Sequence, residues 1–289
     1  MNYPRLSNFS ATALKIGVMQ GRLLPKINGR YQAHPTENWM NEFLIASDLH
    51  LDLIEFILDH ENYENNPLMT VNGCNQIAEI SKQTGVLVTT VCADCFMEAP
   101  LHSADSRERS QSRKILNSLI SNAPVVGVTD IVLPLVDKSS IFEAEERRQF
   151  IGSIKPILRD LDTTSPNICL ESDLPPREIL ELVSDLNSPK ITINYDCGNS
   201  ASLKFDPIEE LSVYGKLISD VHIKDRKHNG PSVILGTGDA NFTSVLQGLK
   251  YHYYSGPLIL QAFRDEDGLG VFKQQLSWFR DFLINFDQA

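Results

Sequence analysis

Eight short apolar runs recur along this sequence, each followed by a stretch of helical spacing, and that alternation constrains the fold more than any other feature. The runs are KIGVMQG (15–21), LDLIEFIL (51–58), VLVTTVCAD (86–94), TDIVLPLV (129–136), NICLESD (167–173), ITINYDCGN (191–199), ISDVHIKD (218–225) and PLILQAF (257–263). Amphipathic segments span 37–48, 70–84, 107–122, 142–162, 176–186, 207–216, 241–253 and 271–286. Runs that stay apolar instead of alternating are buried on both faces, and strict strand-helix alternation makes neighbouring strands parallel. Eight such units in about 250 residues predict a closed (β/α)8 barrel of the α/β class, with a doubly wound open sheet as the competing topology. No composition break or linker divides the chain, so residues 1–289 are expected to form a single TIM barrel domain.

Charge and cysteine usage narrow the function classes. With 37 acidic against 26 basic side chains the net charge is -11, which argues against a surface built on nucleic-acid phosphates. The five cysteines are an odd set, read as reduced thiols. Cys92 and Cys95 form a C-x-x-C, but no second pair completes a zinc site and the motif follows a strand instead of opening a helix. The first residues lack a basic start with a long apolar core, and no window is long enough to span a membrane. The expectation is a cytoplasmic enzyme with a small-molecule substrate and neither nucleic acid nor membrane as partner. Phe272, Trp278, Phe279, Phe282 and Phe286 line one face of the last helix; they are expected to cover the barrel, with a homo-oligomer contact as the alternative.

The last four strands each end on a polar residue that a buried strand would not choose for packing: Glu171, Asp196, His222 and Gln261. In a barrel all strand C-termini open on one face, so residues far apart in sequence converge there. Two carboxylates, an imidazole and a carboxamide oxygen suit one divalent metal ion, manganese, magnesium or zinc, with positions left for water or substrate oxygens. Other polar residues near strand ends are candidate substrate contacts: Gln20, Arg22, Asp94, Arg226 and Arg264. Glu55 and Lys224 are candidates of the same kind, Lys224 because it lies two residues beyond His222 on the same strand face. LGTGDANF (235–242) holds a G-x-G without the further spacing of a phosphate loop, and Asp239 or Asn241 reads as the cap of the next helix. Barrel phosphate sites favour this region, which makes Arg226 and Arg264 candidate phosphate partners.

The segments NICLES, ITINYDCGN, DVHIKDR followed by LGTGDANF, and GPLILQ resemble the xylose isomerase-like barrels, a likeness running from KIGVMQGRL to the last strand. That superfamily includes sugar and sugar-phosphate isomerases and epimerases, inosose dehydratases and apurinic endonucleases. The resemblance implies that Glu171, Asp196 and His222 bind the metal, that Glu171 also serves as base, and that Glu55 lies near the substrate, which makes Glu55 and Lys224 the further catalytic candidates. The implied function is a metal-dependent isomerase or epimerase of a small sugar or sugar phosphate, working through an enediolate. An inosose-type dehydratase and a catalytically silent sugar- or metal-binding barrel are the alternatives. Two positions depart from the superfamily pattern: Gln261 stands where a glutamate would move a proton, and Asn199 stands where many members carry histidine. The second departure, with few other histidines nearby, argues against a multinuclear phosphodiesterase site.

Overall fold

The computed structural model describes residues 9–289. Its strands are β1 (Ile16–Met19), β2 (Leu53–Ile57), β3 (Thr90–Cys92), β4 (Asp130–Leu135), β5 (Asn167–Ser172), β6 (Ile191–Asp196), β7 (Ile218–Ile223), β8 (Asp225–Arg226), β9 (Ser232–Val233) and β10 (Leu258–Leu260). Eight of them close into a barrel in the order β1-β10-β7-β6-β5-β4-β3-β2, while β8 and β9 form a separate two-stranded hairpin. Each barrel pair is parallel. The expected closed barrel is therefore the fold, and the open-sheet alternative falls away.

The helices are α1 (Trp39–Asp48), α2 (Val71–Thr84), α3 (Cys95–Glu98), α4 (Ser106–Val126), α5 (Ala144–Asp160), α6 (Pro176–Leu186), α7 (Cys197–Ser202), α8 (Pro207–Tyr214), α9 (Phe242–Tyr251) and α10 (Leu269–Gln288). Eight match the amphipathic segments; α3 and α7 are short additions directly after strands. The run ITINYDCGN thus changes state within itself. Asp196 ends β6 and caps α7 by accepting from the amides of Gly198 and Asn199, so the chain turns helical where sequence reading continued the strand.

Two apolar regions hold the barrel. The larger lies between strands and helices; the smaller, Met19, Leu53, Ile57, Cys92, Val132, Cys169 and Ile259, fills the interior. Gly17 serves that filling, since a Cβ there would stand 2.7 Å from side-chain carbons of both Ile259 and Leu53. Phe272 and Phe279 of α10 are buried in the larger region, and Trp278, Phe282 and Phe286 pack on it, so this face covers the barrel. Asp287 at the end of α10 accepts from the amides of Ala11 and Thr12, tying the two ends of the described chain together. Among the described residues no helix is long and apolar enough to cross a membrane.

Candidate active site

The parallel register sets the site. Asp196 on β6 is paired with His222 on β7, and Glu171 is the penultimate residue of the neighbouring β5. Oδ1 of Asp196 is committed to the amides of Gly198 and Asn199, both at 2.8 Å, which leaves Oδ2 turned to Nζ of Lys224 at 3.3 Å and Nδ1 of His222 at 4.0 Å. Glu171 is held likewise: Oε1 accepts from Nδ2 of Asn199 at 2.8 Å, and Oε2 lies 3.8 Å from Nδ1 of His222. Each of the three side chains offers a donor atom within 4.8 Å of the others, a group able to hold a metal ion. Gly198 lacks a side chain where one would meet Cγ of Lys224 at 2.7 Å, so glycine lets the lysine reach this centre.

His222 is oriented from behind. Its Nε2 donates to Oε1 of Glu55 at 2.7 Å, and its Nδ1 accepts from Nδ2 of Asn194 at 3.0 Å. An acceptor-only carboxylate at Nε2 places the ring proton there and makes Nδ1 the acceptor nitrogen, on the side where Glu171 and Asp196 lie, so a metal bound there would take that lone pair over from Asn194. Glu55, Asp220 and His222 form a second group of possible ligands, but all three are fully buried and none lines an open cavity.

The two site carboxyls differ in acidity. Burial pushes Glu171 up to about 7, with the nearby Asp196 adding to the rise and His222 and Lys224 opposing it. Burial acts in the same sense on Asp196, but Lys224, His222 and the Asn199 amide outweigh it and hold that carboxyl below its ordinary value. Neighbouring carboxyls whose acidities are driven apart are a pattern found where one group moves a proton and the other stays charged.

Glu171, Lys224, Asn199, Asp94 and Gln261 open on one cavity of about 580 Å³, large enough for a monosaccharide. A hydrogen-bond chain fixes how Gln261 faces it. Oδ2 of Asp94 can only accept, so it takes Nε2 of Gln32 at 2.6 Å; Oε1 of Gln32 then accepts from Nη2 of Arg22 and from Nε2 of Gln261 at 3.2 Å. Oε1 of Gln261 is left buried without a partner. An orphaned carboxamide oxygen in the cavity that Glu171 lines fits the donor set of a divalent cation.

With that geometry in view, the comparison with known proteins decides the family. The xylose isomerase-like TIM barrel family matches residues 43–282. The chain belongs to it. It is similar to L-ribulose-5-phosphate 3-epimerase UlaE of Shigella flexneri serotype 5b, 26% identical over 255 residues that cover 84% of this chain and 89% of the relative. Among solved structures it is similar to 3-keto-D-glucoside 4-epimerase YcjR from E. coli, at 18% identity and a TM-score of 0.72, covering 93% of this chain and 99% of that one. L-Ribulose 3-epimerase shares the fold as well, at 15% identity and a TM-score of 0.74, with 95% and 96% covered.

Within this xylose isomerase-like barrel, several residues expected near substrate lie elsewhere. Gln20 is fully buried, its Oε1 occupied by the Ile57 amide and His34. Arg22 is spent on the carbonyls of Ala262 and Tyr31 and on Gln32, and Arg264 on those of Leu24 and Tyr31. Arg226 grips the Gly230 carbonyl and Oδ1 of Asn199. None of these lines the cavity; for the three arginines, loop carbonyls claim most of the donors. Glu55 bonds to His222 and does not line the cavity either. Asp94 and Lys224 do line it. Sequence reading missed Arg30 and Gln32, which sit in the irregular loop after β1, and gave Asn199 no role beyond a departure.

The glycine loop of 235–242 has an internal occupant. The amides of Gly236 and Gly238 donate to Oδ2 of Asp225 at 2.9 and 2.7 Å, and that of Ala240 to Oδ1 at 3.1 Å. Asn241 caps α9 through the Ser244 amide, whereas Asp239 accepts from the His228 amide instead. Cys92 and Cys95 are both buried and free, and Cys92 donates to Oδ1 of Asp94.

Proposed function

We propose that this chain is a divalent-metal-dependent sugar isomerase/epimerase that moves a proton on the carbon beside a carbonyl, through an enediolate. One observation carries the reading: Glu171, Asp196 and His222 each bring a donor atom within 4.8 Å of the others, and Glu171 opens from that group onto the cavity. Membership of a family whose matched relatives are named epimerases supports it.

Glu171, Asp196, His222 and Gln261 would hold the metal, and three oxygen donors with one imidazole favour manganese. Bound there, the ion supplies electrophilic pull on adjacent carbonyl and hydroxyl oxygens. Glu171 takes the proton from carbon; Asn199 keeps its Oε1 engaged so that the carboxylate does not rotate away. Lys224, drawn to Asp196 and Asn199, presents a cation to oxygens that gain negative charge. Returning the proton from Glu171 to the former carbonyl carbon, while the hydroxyl proton passes to the former carbonyl oxygen, completes a 1,2-isomerisation with one carbon base. Epimerisation needs an acid on the other face, and the Gln261 carboxamide cannot be that acid. Lys224 or a bound water takes the role.

The test is solvent exchange. Manganese-loaded protein is incubated in deuterium oxide with a panel of pentuloses and hexuloses and their phosphates. Expected is uptake of one deuterium beside the carbonyl together with an isomeric product. Loss of water from the product would mark a dehydratase, and binding without exchange across the panel would mark a silent barrel; either result overturns the proposal.

A further inference from the structure

We infer that the sugar taken by this site is unphosphorylated, a conclusion that rests on the isomerase/epimerase reading and narrows it. Among the described residues, the cavity is lined by Asp59, Glu61, Asp94, Glu98, Asp137 and Glu171, while Arg30 and Lys224 are its only arginine or lysine side chains. Neither cation is free. Arg30 pairs with Asp59 and, at 3.5 Å, with Glu61; Lys224 lies 3.3 Å from Asp196. Just outside the lining, Lys138 is taken by Glu98 at 2.6 Å. A phosphate ester entering here would bring about two negative charges into an acid-lined site and would have to pull each cation off its carboxylate. A divalent cation would offset its own ligands, leaving Asp59, Glu61, Asp94, Glu98 and Asp137 as they are.

A second, independent observation concerns the place where barrels of this kind commonly seat a phosphate, the loops after the seventh and eighth barrel strands. The amide nest of Gly236, Gly238 and Ala240 is already filled by the buried carboxylate of Asp225. The loop closes on that carboxylate so tightly that a Cβ on Gly238 would stand 1.9 Å from its Oδ1. The chain carries its own anion where an outside phosphate would bind. What the lining offers instead is carboxylate acceptors, and sugar hydroxyls are the donors that match them. In this the chain would part from the relative named L-ribulose-5-phosphate 3-epimerase.

The experiment compares each free pentulose or hexulose with its terminal phosphate on manganese-loaded protein, by calorimetry and by deuterium uptake. Expected is binding and exchange of at least one free ketose, with its phosphate weaker by about tenfold or more. A phosphate ester that binds more tightly, or exchanges faster, than its parent ketose overturns the inference while leaving the isomerase/epimerase reading intact. Silence from both classes overturns that reading and the inference with it. The double variant Asp59→Asn, Glu61→Gln releases Arg30 and should shift the affinity ratio toward phosphate by about tenfold. An unchanged ratio would mean that these ion pairs do not exclude phosphate, and the charge argument would fail.

Discussion

Oε1 of Glu55 stands 2.7 Å from Nε2 of His222, and both side chains are closed off from solvent. The carboxylate fixes the ring proton on Nε2 and so keeps Nδ1, on the side of Glu171 and Asp196, as the acceptor nitrogen of the ring. Glu55→Ala leaves the ring unheld and should weaken manganese affinity by about 10- to 100-fold, as loss of such supporting partners does. Glu55→Gln keeps an acceptor oxygen and should lose much less. Calorimetric titration of the metal-free proteins, with circular dichroism as a control on folding, measures this. Equal affinity in Glu55→Ala and the unaltered protein would remove Glu55 from the role.

Glu171 and Asp196 should separate by readout. In Glu171→Gln the site keeps an oxygen donor but loses its proton acceptor, so exchange at saturating manganese should fall by about 100- to 10,000-fold. Asp196 has only Oδ2 to offer, because Oδ1 is held by two amides of α7. Asp196→Asn should therefore show its main loss in metal affinity, with partial recovery of turnover as manganese is raised. If Glu171→Gln turned over within tenfold of the unaltered protein, the base would have to be sought elsewhere.

Gln261→Glu tests why a carboxamide stands on the last strand. A carboxylate there would confront Oε1 of Gln32, which is already committed to Arg22 while its amino group serves Asp94. Two acceptors facing each other cost about 1–3 kcal/mol, so the variant should melt lower than the parent when metal-free. In return a second proton carrier appears, and the fraction of epimerised product, followed by NMR, should rise. Absence of any new epimer at saturating manganese would show that proton return does not pass through this position.

Much of the site was legible because polar residues at the ends of apolar runs stand out, and the barrel's one-sided geometry gathers them. Glu171, Asp196 and His222 converge for that reason. Arg22, Arg226 and Arg264 do not line the cavity, since a strand-end position says nothing of the loop carbonyls that later claim a guanidinium. Gln32 and Arg30 fall in the irregular stretch 23–38 after β1, where a barrel puts its active-site loops, but such a loop has no period from which to read a facing direction. The filling of the glycine loop was hidden for another reason: Asp225 reaches amides 11 to 15 residues ahead, a contact that neither strand nor helix spacing encodes.

Glu42 on α1 links pH to stability away from the metal site. Its Oε1 accepts from the amides of Gly21 and Leu23, while Oε2 is buried without a partner. Burial raises this carboxyl from 4.5 to about 7, with the two amides opposing the shift. The folded state thus holds the proton more tightly than the unfolded chain. Its contribution is fully present below pH 4.5 and is lost as pH rises through about 7. Glu42→Gln keeps the acceptor for both amides and never ionises. Its stability relative to the unaltered protein should grow by about 2 kcal/mol between about pH 5 and pH 8. Every other titrating group is common to both proteins, so the difference between two metal-free urea unfolding series isolates this one. A difference that stays flat across the range would mean that Glu42 is ionised in the folded protein throughout, held so by Arg22 and Arg264.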